Sequence, residues 1–149
     1  WDNARAMSPH FEKAHQEYRD FVLSQADFPL GSATAGDYFV KINQPVEAIR
    51  FYERALQKDK KLNYLRLNLA TLYNGEGQND KAAAVLHTAL QYEPKNAEIY
   101  YFLALLYSEE KRYTEAKNAF EKAMQLGMKN ENVKRNYQSL LQLIAQEKK

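Results

Sequence analysis

Between Pro94 and Met128 the apolar residues fall on two helical faces. Tyr100, Leu103, Ala104, Leu106 and Tyr107 recur at a spacing near 3.6 and predict one amphipathic helix. A polar break follows at Glu109–Arg112. Tyr113, Ala116, Ala119, Phe120, Ala123 and Met124 then predict a second helix. Two such helices with a short connection predict an antiparallel hairpin.

The same pattern returns at a period of 34 residues. One step back from Leu103, Ala104, Tyr107, Ala116, Phe120 and Ala123 lie Leu69, Ala70, Tyr73, Ala82, Leu86 and Ala89. Two steps back lie Ala35, Gly36, Phe39, Ala48, Tyr52 and Ala55. Three steps back lie Trp1, Asp2, Arg5, Ala14, Tyr18 and Phe21, where only the second half of the pattern survives. A fixed period of this size is the mark of a solenoid, in which each hairpin buries its face on its neighbour. Small residues at Gly36, Ala70 and Ala104, and at Ala48, Ala82 and Ala116, predict close crossings of helix axes. Phe39, Tyr73 and Tyr107, with Tyr52, Leu86 and Phe120, fill the space beside them.

This small-against-large register resembles the tetratricopeptide repeat family. The resemblance implies an all-α, right-handed α-α superhelix forming one structural domain. Its parts would be a partial N-terminal unit (1–28), three full hairpins (29–62, 63–96, 97–130) and a C-terminal capping helix (131–149). Two departures stand out. The family's usual Trp is Ser32, Arg66 and Tyr100 here, and the closing Pro survives only as Pro94, with Lys60 and Met128 at the equivalent places. The run from Leu62 to Glu109 is also similar to repeats at the C-terminal end of larger bacterial proteins with multihaem cytochrome c domains. That likeness implies a docking or scaffold module of an extracytoplasmic protein, with no haem of its own because CxxCH is absent.

Local signals mark the helix ends. Ser8-Pro9 opens a helix carrying Phe11, Ala14, Tyr18, Phe21 and Val22, expected to pack on the first full hairpin. Leu30–Ile42 is the next helix, in which Gly36 suits close packing and Gly31 only lowers propensity. Pro45 opens a helix to about Lys58, and Leu62–Asn74 follows. Gly75-Glu76-Gly77 permits a left-handed cap and reads as the loosest turn. Asn79 or Asp80 caps the helix to Tyr92. Gly127 stops the last repeat, and Asn130 starts a final helix with Val133, Tyr137, Leu140, Leu141 and Ile144 on one side. Leu143 widens that face, leaving part of it for a partner or a second copy. Trp1–Met7 is ambiguous, a candidate frayed helix end. Because the chain starts with Trp1 rather than Met, it is expected to be a processed or excised piece.

Composition narrows the function. A net charge of +2, with bases and acids interspersed, argues against nucleic acid as a partner. With no cysteine, thiol catalysis and Cys-based zinc are excluded. No apolar run approaches the ~20 residues of a membrane span. His10 and His15 lie five apart, about 140° around a helix, so they do not share a metal from one face. His87 has no evident partner in the sequence. Gly75-x-Gly77 lacks the strand of a phosphate loop. No catalytic constellation emerges, and neither enzyme nor cofactor is expected.

The expected function is non-enzymatic protein binding. The family resemblance places the inner surface at Leu30, Ala33, Asp37 and Val40, then Tyr64, Leu67, Thr71 and Asn74, then Glu98, Tyr101, Leu105 and Ser108. From these, Asp37, Tyr64, Leu67, Thr71, Asn74, Glu98, Tyr101, Leu105 and Ser108 form the candidate partner-binding set, suited to a peptide or partner segment. Relatives that hold chaperone tails use basic and Asn side chains at the positions of Ala33, Asp37, Asn68, Glu98 and Phe102. Only Asn68 agrees, so a carboxylate clamp is not expected. The alternative is a structural spacer or self-assembly unit, pairing through residues 133–144 or docking on absent domains of a parent protein. A bacterial extracytoplasmic setting is slightly favoured over the cytoplasm.

Overall fold

The structure, a computed structural model, describes residues 9–147. The Trp1–Met7 reading and the Ser8 cap therefore lie outside the described residues. Among those described, all regular structure is helical: α1 (Pro9–Ser24), α2 (Pro29–Lys41), α3 (Pro45–Lys58), α4 (Tyr64–Gly75), α5 (Asn79–Tyr92), α6 (Ala97–Glu109), α7 (Tyr113–Gln125) and α8 (Glu131–Glu147). The chain divides into two compact units between Leu65 and Arg66.

In the first unit α2 packs on α3, and α1 packs on α2. Gly36 sits against the Tyr52 ring so closely that a Cβ would lie 2.4 Å from two ring carbons. Phe39 stacks on Phe51 with centroids 5.3 Å apart. Gly31 does more than lower helix propensity: a Cβ there would fall 1.7 Å from the Gln25 carbonyl oxygen. It is the point where the end of α1 meets the start of α2. Buried Ser32 donates to the Ala26 carbonyl at 2.6 Å, and Arg54 on α3 pairs with Asp27 at 2.5 Å. The expected α1 stripe is only partly covered. Val22 is buried, yet Tyr18 and Phe21 are 51% and 62% exposed. His15 instead reaches Tyr38, 2.9 Å from its hydroxyl.

In the second unit the Arg66 guanidinium lies over Tyr92 and the Lys81 ammonium over Tyr73, joining α4 to α5. α5 packs on α6, α6 on α7, and α7 on α8. Ala82, Leu86 and Ala89, and likewise Ala116, Phe120 and Ala123, are wholly or almost wholly buried. His87, unpartnered in the sequence, meets the Tyr107 hydroxyl at 2.7 Å. Neither Asn79 nor Asp80 caps α5; the N-cap is Gln78, with no side-chain bond, and Asn79 accepts from Asn74 instead. Asn130 does cap α8, accepting from the Val133 amide at 3.1 Å.

Three turns 34 residues apart share one construction. Asn43, Gly77 and Lys111 each adopt a positive φ of 56°, 70° and 60°. After each, the next amide bonds back to Phe39, Tyr73 and Tyr107, all at 2.8 Å. This is the Schellman closure, which satisfies carbonyls left over at the helix end. The Gly77 turn is thus closed by the same bonds as the others rather than being the loosest. Gly127 repeats the closure after α7 with φ 104°.

A candidate docking surface on helices α4, α6 and α8

Helix α6 presents opposite faces to different neighbours. Ile99, Leu103, Ala104, Leu106 and Tyr107 are buried, while Glu98, Tyr101, Phe102, Leu105 and Ser108 keep part of their surface. These line two open depressions within the second unit. One, of about 320 Å³, lies between α4 and α6, with Leu67, Asn68 and Thr71 opposite Glu98, Tyr101, Phe102 and Leu105. The other, of about 240 Å³, includes Leu105, Ser108 and Glu109, floored by Phe120 and walled on α8 by Asn136, Ser139 and Leu143. Leu105 borders both. Leu67, Thr71, Glu98, Tyr101, Leu105 and Ser108 of the sequence-derived set therefore come together here.

Hydrogen bonding fixes the walls. Asn136 on α8 donates to the Tyr101 hydroxyl at 2.8 Å, and the Tyr101 ring meets Phe120 edge-on at 5.9 Å. Asn74 donates to both Asn79 and Glu109, at 3.0 and 2.9 Å, tying the end of α4 to the end of α6. Asn74 thus braces the rim and does not line either depression. Thr71 and Ser108 spend their hydroxyl protons on the carbonyls of Leu67 and Ala104, at 3.0 and 2.7 Å. Their oxygens keep lone pairs free to accept.

Asp37 and Tyr64 lie in the first unit. The Tyr52 hydroxyl donates to Asp37 at 2.5 Å, so that carboxylate also anchors a buried ring. Partial burial, and secondarily the Asp37 charge, raise the Tyr64 hydroxyl above its usual pKa. Ala33, expected on the inner surface, is buried, whereas Leu30 and Val40 are exposed.

Sequence reasoning missed the contribution of α8. Asn136 and Ser139 carry no periodic signal tying them to α6, and Phe120 was assigned to packing alone. Leu143 was the one cue: it widened the last helix's apolar face, and it is 42% exposed beside the second depression. No group of three or more His, Asp or Glu able to hold a metal occurs among the described residues. None of the described helices is long and apolar enough to cross a membrane.

Stacked helical hairpins with an open, partly apolar face define a helical-repeat scaffold. Residues 74–144 match the family model described as tetratricopeptide repeat. That match spans just under half of the chain and supports the tetratricopeptide repeat family for this stretch. Among solved structures it is similar to the first tetratricopeptide-repeat domain of Spaghetti (RPAP3) bound to the HSP90 peptide SRMEEVD, at TM-score 0.73 and 19% identity over 80% of this chain and 95% of that one. It is also similar to the Sgt2 repeat domain from Aspergillus fumigatus, at TM-score 0.71 and 23% identity over 80% and 81%. These likenesses establish the all-α repeat fold. A curated relative, protein O-mannosyl-transferase TMTC3 of Homo sapiens, is 29% identical over 93 residues, 62% of this chain. The chain spans only about 10% of the length of that relative.

Proposed function

We propose that the α4–α6–α8 face of residues 66–149 is a docking surface for an extended segment of another protein. The observation that carries this is the pair of adjoining depressions around Leu105, whose apolar floor is bordered by polar atoms able to fix register. That a repeat domain of similar fold is described as bound to a peptide supports the reading. Asp37 and Tyr64 extend the proposal to the first unit as a separate surface.

Selecting peptides from a random library against the whole chain tests this. Selected peptides are expected to lose binding to a Leu67→Ser/Leu105→Ser variant that keeps its circular dichroism. Undiminished binding to that variant would overturn the assignment.

A second reading, a spacer or self-assembly unit, is supported by the exposed Tyr18, Phe21, Phe28 and Leu30 of the first unit. It predicts association in light scattering, and a strict monomer at high concentration counts against it.

A further inference from the structure

The charged groups around the two depressions share one sign. Glu98 lines the first and Glu109 the second, and no Lys, Arg or His lines either. Among the described residues neither carboxylate is in an ion pair. Glu109 receives only the neutral amide of Asn74. Thr71 and Ser108 have committed their protons to backbone carbonyls, so toward a ligand they act as acceptors. The surface is apolar in its middle and anionic at both ends, with neutral polar side chains between.

We infer that the segment docking on this face is basic at both ends and apolar between. The inference rests on the docking function proposed above and adds the chemistry of the partner. Charge complementarity selects it: an ammonium or guanidinium supplies donors where the surface offers acceptors, and an acidic segment would face two unpaired carboxylates. Glu98 and Glu109 are eleven residues apart on one helix, about 16 Å along its axis. Two flexible basic side chains six residues apart on an extended peptide, about 20 Å at ~3.3 Å per residue, bridge that span. In such a segment alternate residues share a face, so both basic ends and two intervening apolar side chains point the same way. This is the opposite of the acidic peptide SRMEEVD described for the Spaghetti (RPAP3) domain.

Three synthetic peptides decide it: KSLSLSK, its neutral counterpart QSLSLSQ and its acidic counterpart ESLSLSE, titrated into the whole chain by calorimetry. The basic peptide is expected to bind at least about tenfold more tightly than the neutral one, the acidic one not at all. Raising salt from about 0.05 to about 0.5 M should erase most of that difference. In Glu98→Gln/Glu109→Gln the basic and neutral peptides should bind alike. Equal or tighter binding of the acidic or neutral peptide to the unsubstituted chain, abolished by Leu67→Ser/Leu105→Ser, would overturn the basic partner and leave the docking surface standing. Failure of all three at millimolar concentration, with no library peptide selected, would overturn both.

Discussion

Helices α1 and α7 occupy equivalent places in the 34-residue register, and their fates differ. On α7, Ala116, Phe120 and Ala123 are buried, covered by α6 on one side and α8 on the other. On α1 the matching Ala14, Tyr18 and Phe21 are exposed. The residue types match at the first two places, small then aromatic, and differ at the third, which is Ala123 on α7 and Phe21 on α1. Burial in a repeat is thus a property of the pair. An apolar stripe states what a helix can cover, and the neighbouring helix decides what it does cover.

The sharpest way to break this comparison is to truncate the aromatic residue at the shared position. Phe120→Ala should cost about 3–5 kcal/mol, as a buried ring lost without collapse, whereas Tyr18→Ala should cost under about 1 kcal/mol. Urea unfolding followed by circular dichroism measures both. Next in size is Gly31→Ala, which thrusts a methyl group into the Gln25 carbonyl and should cost about 1–3 kcal/mol. It should also loosen α1 selectively, seen as faster amide exchange across Pro9–Ser24.

Smaller effects sharpen the picture at the turns and at α8. Lys111→Gly relieves a left-handed residue at φ 60° and should add about 0.5–1 kcal/mol, while Gly77→Ala at φ 70° should lose a similar amount. Comparing melting temperatures of the two variants checks the opposite signs. The α7–α8 contact carries a pH signature. Burial, then the hydrogen bond to Glu121, push the Tyr137 hydroxyl up to about 12. A raised folded-state value means the folded chain holds the proton longer, so this contribution is intact below about pH 10 and fades as pH rises toward 12. Tyr137→Phe should flatten the stability profile in that window and lower stability slightly at neutral pH, where the bond to Glu121 is intact.

The repeat register was legible because it is written locally. Gly36, Ala70 and Ala104 sit three residues before Phe39, Tyr73 and Tyr107 on the same helix, and all six are buried as the pattern required. Helix bounds followed where local signals mark them: Pro45 opens its helix, and Gly77 and Gly127 close theirs. What stayed hidden depends on pairs distant in sequence. His87 meets Tyr107, and Asn136 meets Tyr101, across 20 and 35 residues. Lys111 is left-handed because its turn must close like those of Asn43 and Gly77, although lysine has no preference for that region. Gly31 looked like a weak helix residue, since nothing local announces the approach of Gln25. The face of α6 could be listed in advance, but its α8 wall could not, because only packing sets which side of the last helix turns inward.

The most direct test of the docking surface is amide chemical-shift mapping of the whole chain with a library-selected peptide. The account predicts shifts concentrated at Leu67, Thr71, Tyr101, Leu105, Ser108 and Ser139. Shifts gathered instead along the α7–α8 crevice at Tyr113, Lys117 and Ile144, with Leu105 unmoved, would contradict it.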